Sequence, residues 1–239
     1  MNIRKMNQKS IFPRVESKLN GGGTILLQTL FFGLLFSFFV LMVLGPLYGI
    51  YKRGFDEMLY PALICWGISI PILIPVTRYY FINKRKIASK IIVDQSGLLF
   101  YNAYDEIVEK ILYSELSSST QIFDIYTVKP LNSGVVPLLE ININPEKEDK
   151  KIKRIDMNLP LYVVKNKYTL YAHFLHGITI FRPDLKIDPA VLLSYSIDPD
   201  TWKVNSKGVS FMAWILILLA LIIAGVIVGL VFLLTKTEN

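Results

Sequence analysis

The sequence predicts an integral membrane protein of the α+β class. Three transmembrane helices carry one soluble antiparallel domain of short strands closed by a C-terminal helix. Three observations support this. Residues 19–51, 58–77 and 208–235 hold no charged side chain, and each stretch reaches the roughly 20 apolar residues a helix needs to cross the hydrocarbon core. Excess positive charge sits only beside those stretches. Between residues 90 and 207 the composition is that of a globular domain, and hydropathy there runs first with a period of two and then of 3.6.

The net charge of +7 resolves by segment. Residues 1–22 hold five basic and one acidic residue, and residues 78–90 hold five basic and none acidic. Residues 91–210 hold thirteen basic and fifteen acidic residues. The soluble region is therefore slightly acidic, which argues against nucleic acid as a partner. Basic flanks of short loops remain in the cytoplasm. The arm with Arg4, Lys5, Lys9, Arg14 and Lys18, and the segment RYYFINKRKIASK, both place the N-terminus and the soluble domain inside. The C-terminus is then outside, in a multi-pass protein of the cell membrane. Cys65 is the only cysteine, so no intrachain disulfide forms.

The expected organisation is a basic arm over 1–23, spans over 24–50, 58–82 and 209–235, and a soluble domain over 87–205. The glycines at 21–23 disfavour a helix start before Thr24, and Gly45-Pro46 predicts a kink or an end of the first span. Pro71 and Pro75 predict a bend in the second. None of the three charge-free stretches holds a histidine, so a proton or ion path has no residues to use. In the third, Ala220, Ala224, Gly225 and Gly229 have the small-residue spacing that lets helices approach closely. They are the candidate contact for a homo-oligomer.

In the soluble region, IIVD-QSG-LLFYNAY reads as a hairpin, followed by strands in EIVEKILY and QIFDIYTV. Leu139, Ile141 and Ile143 alternate with Glu140, Asn142 and Asn144. Ile155, Met157 and Leu159 alternate with Arg154, Asp156 and Asn158. Each set predicts a strand solvated on one face. Tyr168, Tyr171, Ala172 and Leu175 then mark an amphipathic helix, with Gly177 as its stop. PAVLLSY predicts one further short helix.

FINKRK, IIVDQSGLLFYN, ILYSEL and the helix after RIDMNLP together resemble bacterial membrane proteins in which a two-span hairpin precedes a pleckstrin-homology-like (PH-like) domain. The resemblance covers residues 25–185. It implies a barrel closed by a helix, no cofactor, and a scaffold or interaction role. It does not imply phosphoinositide binding, because the first turn reads Asp94-Gln95-Ser96-Gly97 and has no lysine.

No nucleotide-loop, nucleophile-elbow, zinc-protease or CxxC motif occurs. The expectation is no catalytic residue, no metal and no cofactor. His173 and His176 lie at i, i+3 but off the apolar stripe, which predicts a solvated face. Lys84, Arg85 and Lys86 are candidate contacts to anionic lipid. Lys147, Lys150, Lys151, Lys153 and Arg154 are diluted by acids and read as a solvated hairpin tip. The leading expectation is a non-catalytic membrane protein whose cytoplasmic domain binds another protein. The alternatives are an immunity protein against a membrane-active toxin and a membrane enzyme acting on lipid.

Overall fold

The computed structural model describes residues 12–129, 137–144 and 151–205. The chain divides into units 1–204 and 205–239, and the first is described below.

Two helices, Gly21–Arg53 and Phe55–Ile82, are long and apolar enough to cross a membrane, with mean hydropathies of 2.4 and 1.9. Only 6% and 11% of their most apolar windows are covered by the rest of the protein. Leu34 and Phe36, for example, are 69% and 67% exposed. Water does not tolerate a continuous apolar surface of this extent, so lipid covers it. The protein is a multi-pass membrane protein bearing a soluble domain of β-sheet and helix.

The three-span plan is corrected to two spans among the described residues. The expected span at 209–235, with Ala220, Ala224, Gly225 and Gly229, lies outside them, so self-association through a third helix is not carried forward. The immunity reading leaned on the three-span plan and loses that support.

The first span begins at Gly21, earlier than the glycine run predicts. Asn20 caps it, its side chain accepting from the Gly23 amide at 3.2 Å, and a cap of this kind offsets the low propensity of glycine. Gly45-Pro46 neither ends nor breaks this span. A π-helical turn at Val40–Leu44 precedes the proline, and the Trp66 indole of the second span donates to the Val43 carbonyl at 3.3 Å. A carbonyl in hydrocarbon thereby gains a partner. Gly54, at φ +96°, turns the chain between the spans.

Eight strands are seen among the described residues. They are β1 (Val15–Glu16), β2 (Lys90–Val93), β3 (Gly97–Tyr101), β4 (Ile107–Leu112), β5 (Leu116–Ser117), β6 (Ile125–Val128), β7 (Leu138–Ile143) and β8 (Lys151–Ile155). The first sheet runs β1-β2-β3-β4, all antiparallel, with Val15 opposite Val93 and Ile91 opposite Phe100. The second is centred on β7. Strand β8 pairs along one side of β7, while β6 and β5 share the other, at Leu138–Ile141 and at Asn142–Ile143.

Among the described residues neither sheet closes on itself, and no ladder joins β4 to β8. The expected PH-like barrel is therefore corrected to two open sheets. Periodicity shows which face of a strand is apolar and carries no information about which edges pair.

Residues 12–20 join the domain before the first span begins. Beyond β1, the Ser17 amide donates to the Ile91 carbonyl and the Asn20 amide to the Val163 carbonyl, both at 2.8 Å. Asn166 accepts from the Lys18 amide at 2.6 Å and donates to the Glu16 carbonyl at 2.9 Å.

The helix Lys167–Phe181 crosses the core and buries Leu170, Tyr171, Ala172, Phe174, Leu175 and Ile178. The Tyr171 hydroxyl donates to the Ile155 carbonyl at 3.2 Å and accepts from the Met157 amide at 3.1 Å. Its ring stacks on Tyr195 at 4.1 Å, and the Tyr195 hydroxyl reaches the Pro137 carbonyl at 3.0 Å. These bonds tie the helix to the end of β8, to the segment leading into β7 and to the second short helix, Pro189–Ser194.

Gly177 does not stop the helix, which continues to Phe181. Its role is close approach: a Cβ there would overlap the Tyr113 hydroxyl, whose ring stacks on Phe174 and Phe181 at 5.5 and 5.1 Å. Gly177→Ala is expected to cost about 1–3 kcal/mol through overpacking, and adding Tyr113→Leu should recover part of that. Tyr113→Phe alone should leave stability unchanged or raised, because the buried hydroxyl has no hydrogen-bond partner among the described residues. Thermal unfolding of the three variants in detergent measures these effects.

Candidate functional site

Three features outside the core bear on function. The first is the basic turn Lys84–Lys86, which follows the second span directly. Asn102, which is buried, holds it to the domain. The Asn102 amide donates to the Arg85 carbonyl at 2.9 Å and to Glu106 Oε2 at 2.8 Å, while its oxygen accepts from the Tyr104 and Glu106 amides. The Arg85 guanidinium lies 5.6 Å from the centre of the Tyr104 ring, an attractive cation–π geometry. At the same end of the domain, Lys90 pairs with Asp105, and that hydrogen bond raises the lysine pKa.

The second feature is the histidine pair, which is not solvated as expected. The His173 Nε2–H donates to the Pro13 carbonyl at 2.6 Å, and its ring stacks on Phe12 at 4.2 Å. His176 stacks on Trp202 at 5.1 Å. The two imidazoles thus clasp the segment entering the first span and the segment following the second short helix. Burial lowers both pKa values. Among the described residues no three His, Cys, Asp or Glu side chains gather as a metal site would require. The pattern alone could not reveal the clasp, because Phe12 and Trp202 are remote in sequence.

The third feature is the seam between the sheets. Strands β4 and β8 contribute side chains to one cleft of about 270 Å³, lined in part by Val108, Ile111, Arg154 and Ile155. Lys153 on β8 reaches Glu109 on β4 across it at 2.5 Å. Both side chains are more than a third exposed, so this latch is worth only about 0–1 kcal/mol. Val108 falls at a register shift, since Ile107 pairs with Tyr101 and Glu109 with Phe100. A bulge of this kind bends an edge strand.

Both edge strands also expose a large apolar residue, Ile107 at 52% and Ile152 at 62%. Ile152 stands opposite Asn142 on β7. Its place on an unpaired edge becomes visible only in the fold.

One polar-face expectation fails at Glu140, which is buried. Its carboxylate accepts from the Tyr126 hydroxyl and from Arg154 Nε, the latter at 2.8 Å. Two cations of β8 are therefore engaged here, Lys153 with Glu109 and Arg154 with Glu140.

No family model, curated protein or solved structure matches the chain. The resemblance to PH-like membrane proteins gains nothing from these comparisons, and the open sheets contradict it.

The histidine clasp has a pH signature. Both imidazoles titrate lower in the folded protein than in the unfolded chain, so unfolding takes up protons as pH falls through about 6.5. Their contribution to stability is complete above that value and is lost below it. The thermal midpoint of the protein in detergent should be flat from pH 8 to 7 and fall towards pH 5. His173→Gln together with His176→Gln should flatten that fall.

Proposed function

We propose that the protein is a non-catalytic membrane adaptor whose domain faces the cytoplasm. It takes an extended segment of a partner protein into the seam between β4 and β8. The observation that carries this reading is a pair of strand edges, unpaired among the described residues, that flank one cleft. An edge presents a row of backbone donors and acceptors that an added strand satisfies, while pockets beside it select the added side chains. Natural edges are defended against random pairing by charge and by bulges. Lys110, Lys151, Lys153 and the bulge at Val108 provide that defence here. Ile107 and Ile152 provide apolar anchors in the midst of it.

The basic flanks at residues 1–22 and 78–90 support the cytoplasmic side. The cleft is also lined by Tyr79 and Lys86, so a bound segment would lie close to the bilayer. The absence of the common catalytic motifs from the sequence supports a binding role.

A photo-reactive residue placed at Ile107 or at Ile152 in living cells should cross-link the same protein partner. At Leu193, more exposed and on the short helix Pro189–Ser194, it should not. Ile107→Lys should abolish the product at Ile152. Different products at the two seam positions, or turnover of a substrate by the purified protein, would refute the proposal.

A further inference from the structure

Where the spans meet the domain, a chamber of about 420 Å³ is lined by Gln28, Tyr80, Lys84, Ser89, Tyr104 and Tyr162. Directly beneath it, a groove of about 500 Å³ runs between the two spans, lined by Leu35, Phe36, Phe39, Leu73 and Phe81. Phe32 belongs to the wall of both. The two spaces therefore abut, one polar and aromatic, the other apolar.

We propose that this slot binds one anionic glycerophospholipid, with its phosphate beside Lys84 and one acyl chain laid along the face from Phe32 to Phe39. The inference is independent of the adaptor reading and needs only the two spans in a bilayer.

Four observations point to a lipid. Lys84 lies two residues beyond the end of the second span at Ile82, which sets the chamber at headgroup depth. Tyrosines are at home there, because one end of the ring is apolar and the other wet. Of the three cations in the turn, Lys84 alone lines the chamber. Arg85 is placed over Tyr104 and Lys86 lines the neighbouring cleft. No carboxylate among the described residues pairs with Lys84, so its charge is available to a phosphate.

The groove is also the right shape. The eight residues of helix from Phe32 to Phe39 give about 10 Å of apolar wall, enough to order the upper part of an acyl chain. Finally, the chamber wall carries backbone strain. Leu161 is held at φ +62° after Pro160, in a turn position that glycine or asparagine normally fills. The Gln28 side-chain amide donates to the Leu161 carbonyl at 3.2 Å, fixing the turn to the first span. Strain of this kind persists where the surroundings enforce it, and it gathers at ligand sites.

The full chain in maltoside detergent, titrated with dioleoyl-phosphatidylglycerol or dioleoyl-phosphatidylcholine and read by native mass spectrometry, tests the proposal. Both lipids offer the phosphate, but the choline of the zwitterion adds a second cation beside Lys84, so the anionic lipid should bind about tenfold more tightly. Lys84→Gln should erase that preference and Lys86→Gln should keep it. Leu35→Trp, which fills the groove, should weaken both lipids and leave the preference intact. Glycerol 3-phosphate should not compete. Equal binding of the two lipids, equal losses in the two lysine variants, or competition by glycerol 3-phosphate as strong as by lipid would each overturn the assignment.

Discussion

Strands β1 and β2 are hydrogen-bonded neighbours, yet the two spans lie between them in the chain. That pairing is the constraint on which the rest of the architecture depends. A segment that leaves one sheet and returns to the same sheet must cross the bilayer an even number of times. Two crossings satisfy this, and Gly54 supplies the turn. The bonds from Ser17, Lys18 and Asn20 to Ile91, Asn166 and Val163 extend the pairing to the helix cap. The first span thus grows out of the domain without a flexible joint, and the domain lies against the membrane. Chamber, basic turn and sheet seam are all brought close to the headgroups for this reason.

The same economy of strands leaves the sheets open. Strand β7 is saturated, with β8 on one side and β5 and β6 sharing the other. Strand β3 is likewise enclosed by β2 and β4. The outer edges of β4 and β8 are left facing one cleft, bridged by the exposed ion pair of Lys153 and Glu109. An ion pair between solvated side chains holds such a gap weakly. The core beneath does not depend on closure, because the Lys167–Phe181 helix covers the inner faces of the sheets and buries Phe174 and Ile178 completely.

Much of this was legible in the residues. The alternation of Leu139, Ile141 and Ile143 marks β7, and the turn at Gln95-Ser96-Gly97 marks the β2–β3 hairpin. The stripe of Tyr171, Ala172 and Leu175 marks the buried helix face. What was not legible depends on partners distant in sequence. Glu140 reads as solvated until Tyr126 and Arg154 cover it. Gly177 reads as a stop until Tyr113 lies against it. A two-residue strand inside a basic arm, at Val15–Glu16, has no periodicity to show. Lys84 was visible as a cation near lipid, whereas the chamber around it needs Gln28 and Tyr162, which are remote in the chain.

The central claim is that both ends of the two-span hairpin emerge from one folded domain on one side of the bilayer. Single cysteines at Glu16, Gln95 and Lys52, each placed in a Cys65→Ser background, probe it with a membrane-impermeant maleimide in sealed vesicles of both orientations. The account predicts that the cysteines at Glu16 and Gln95 react only when their shared face is outermost, and the one at Lys52 only in the opposite vesicles. Labelling of the Glu16 and Gln95 positions from opposite sides would contradict it.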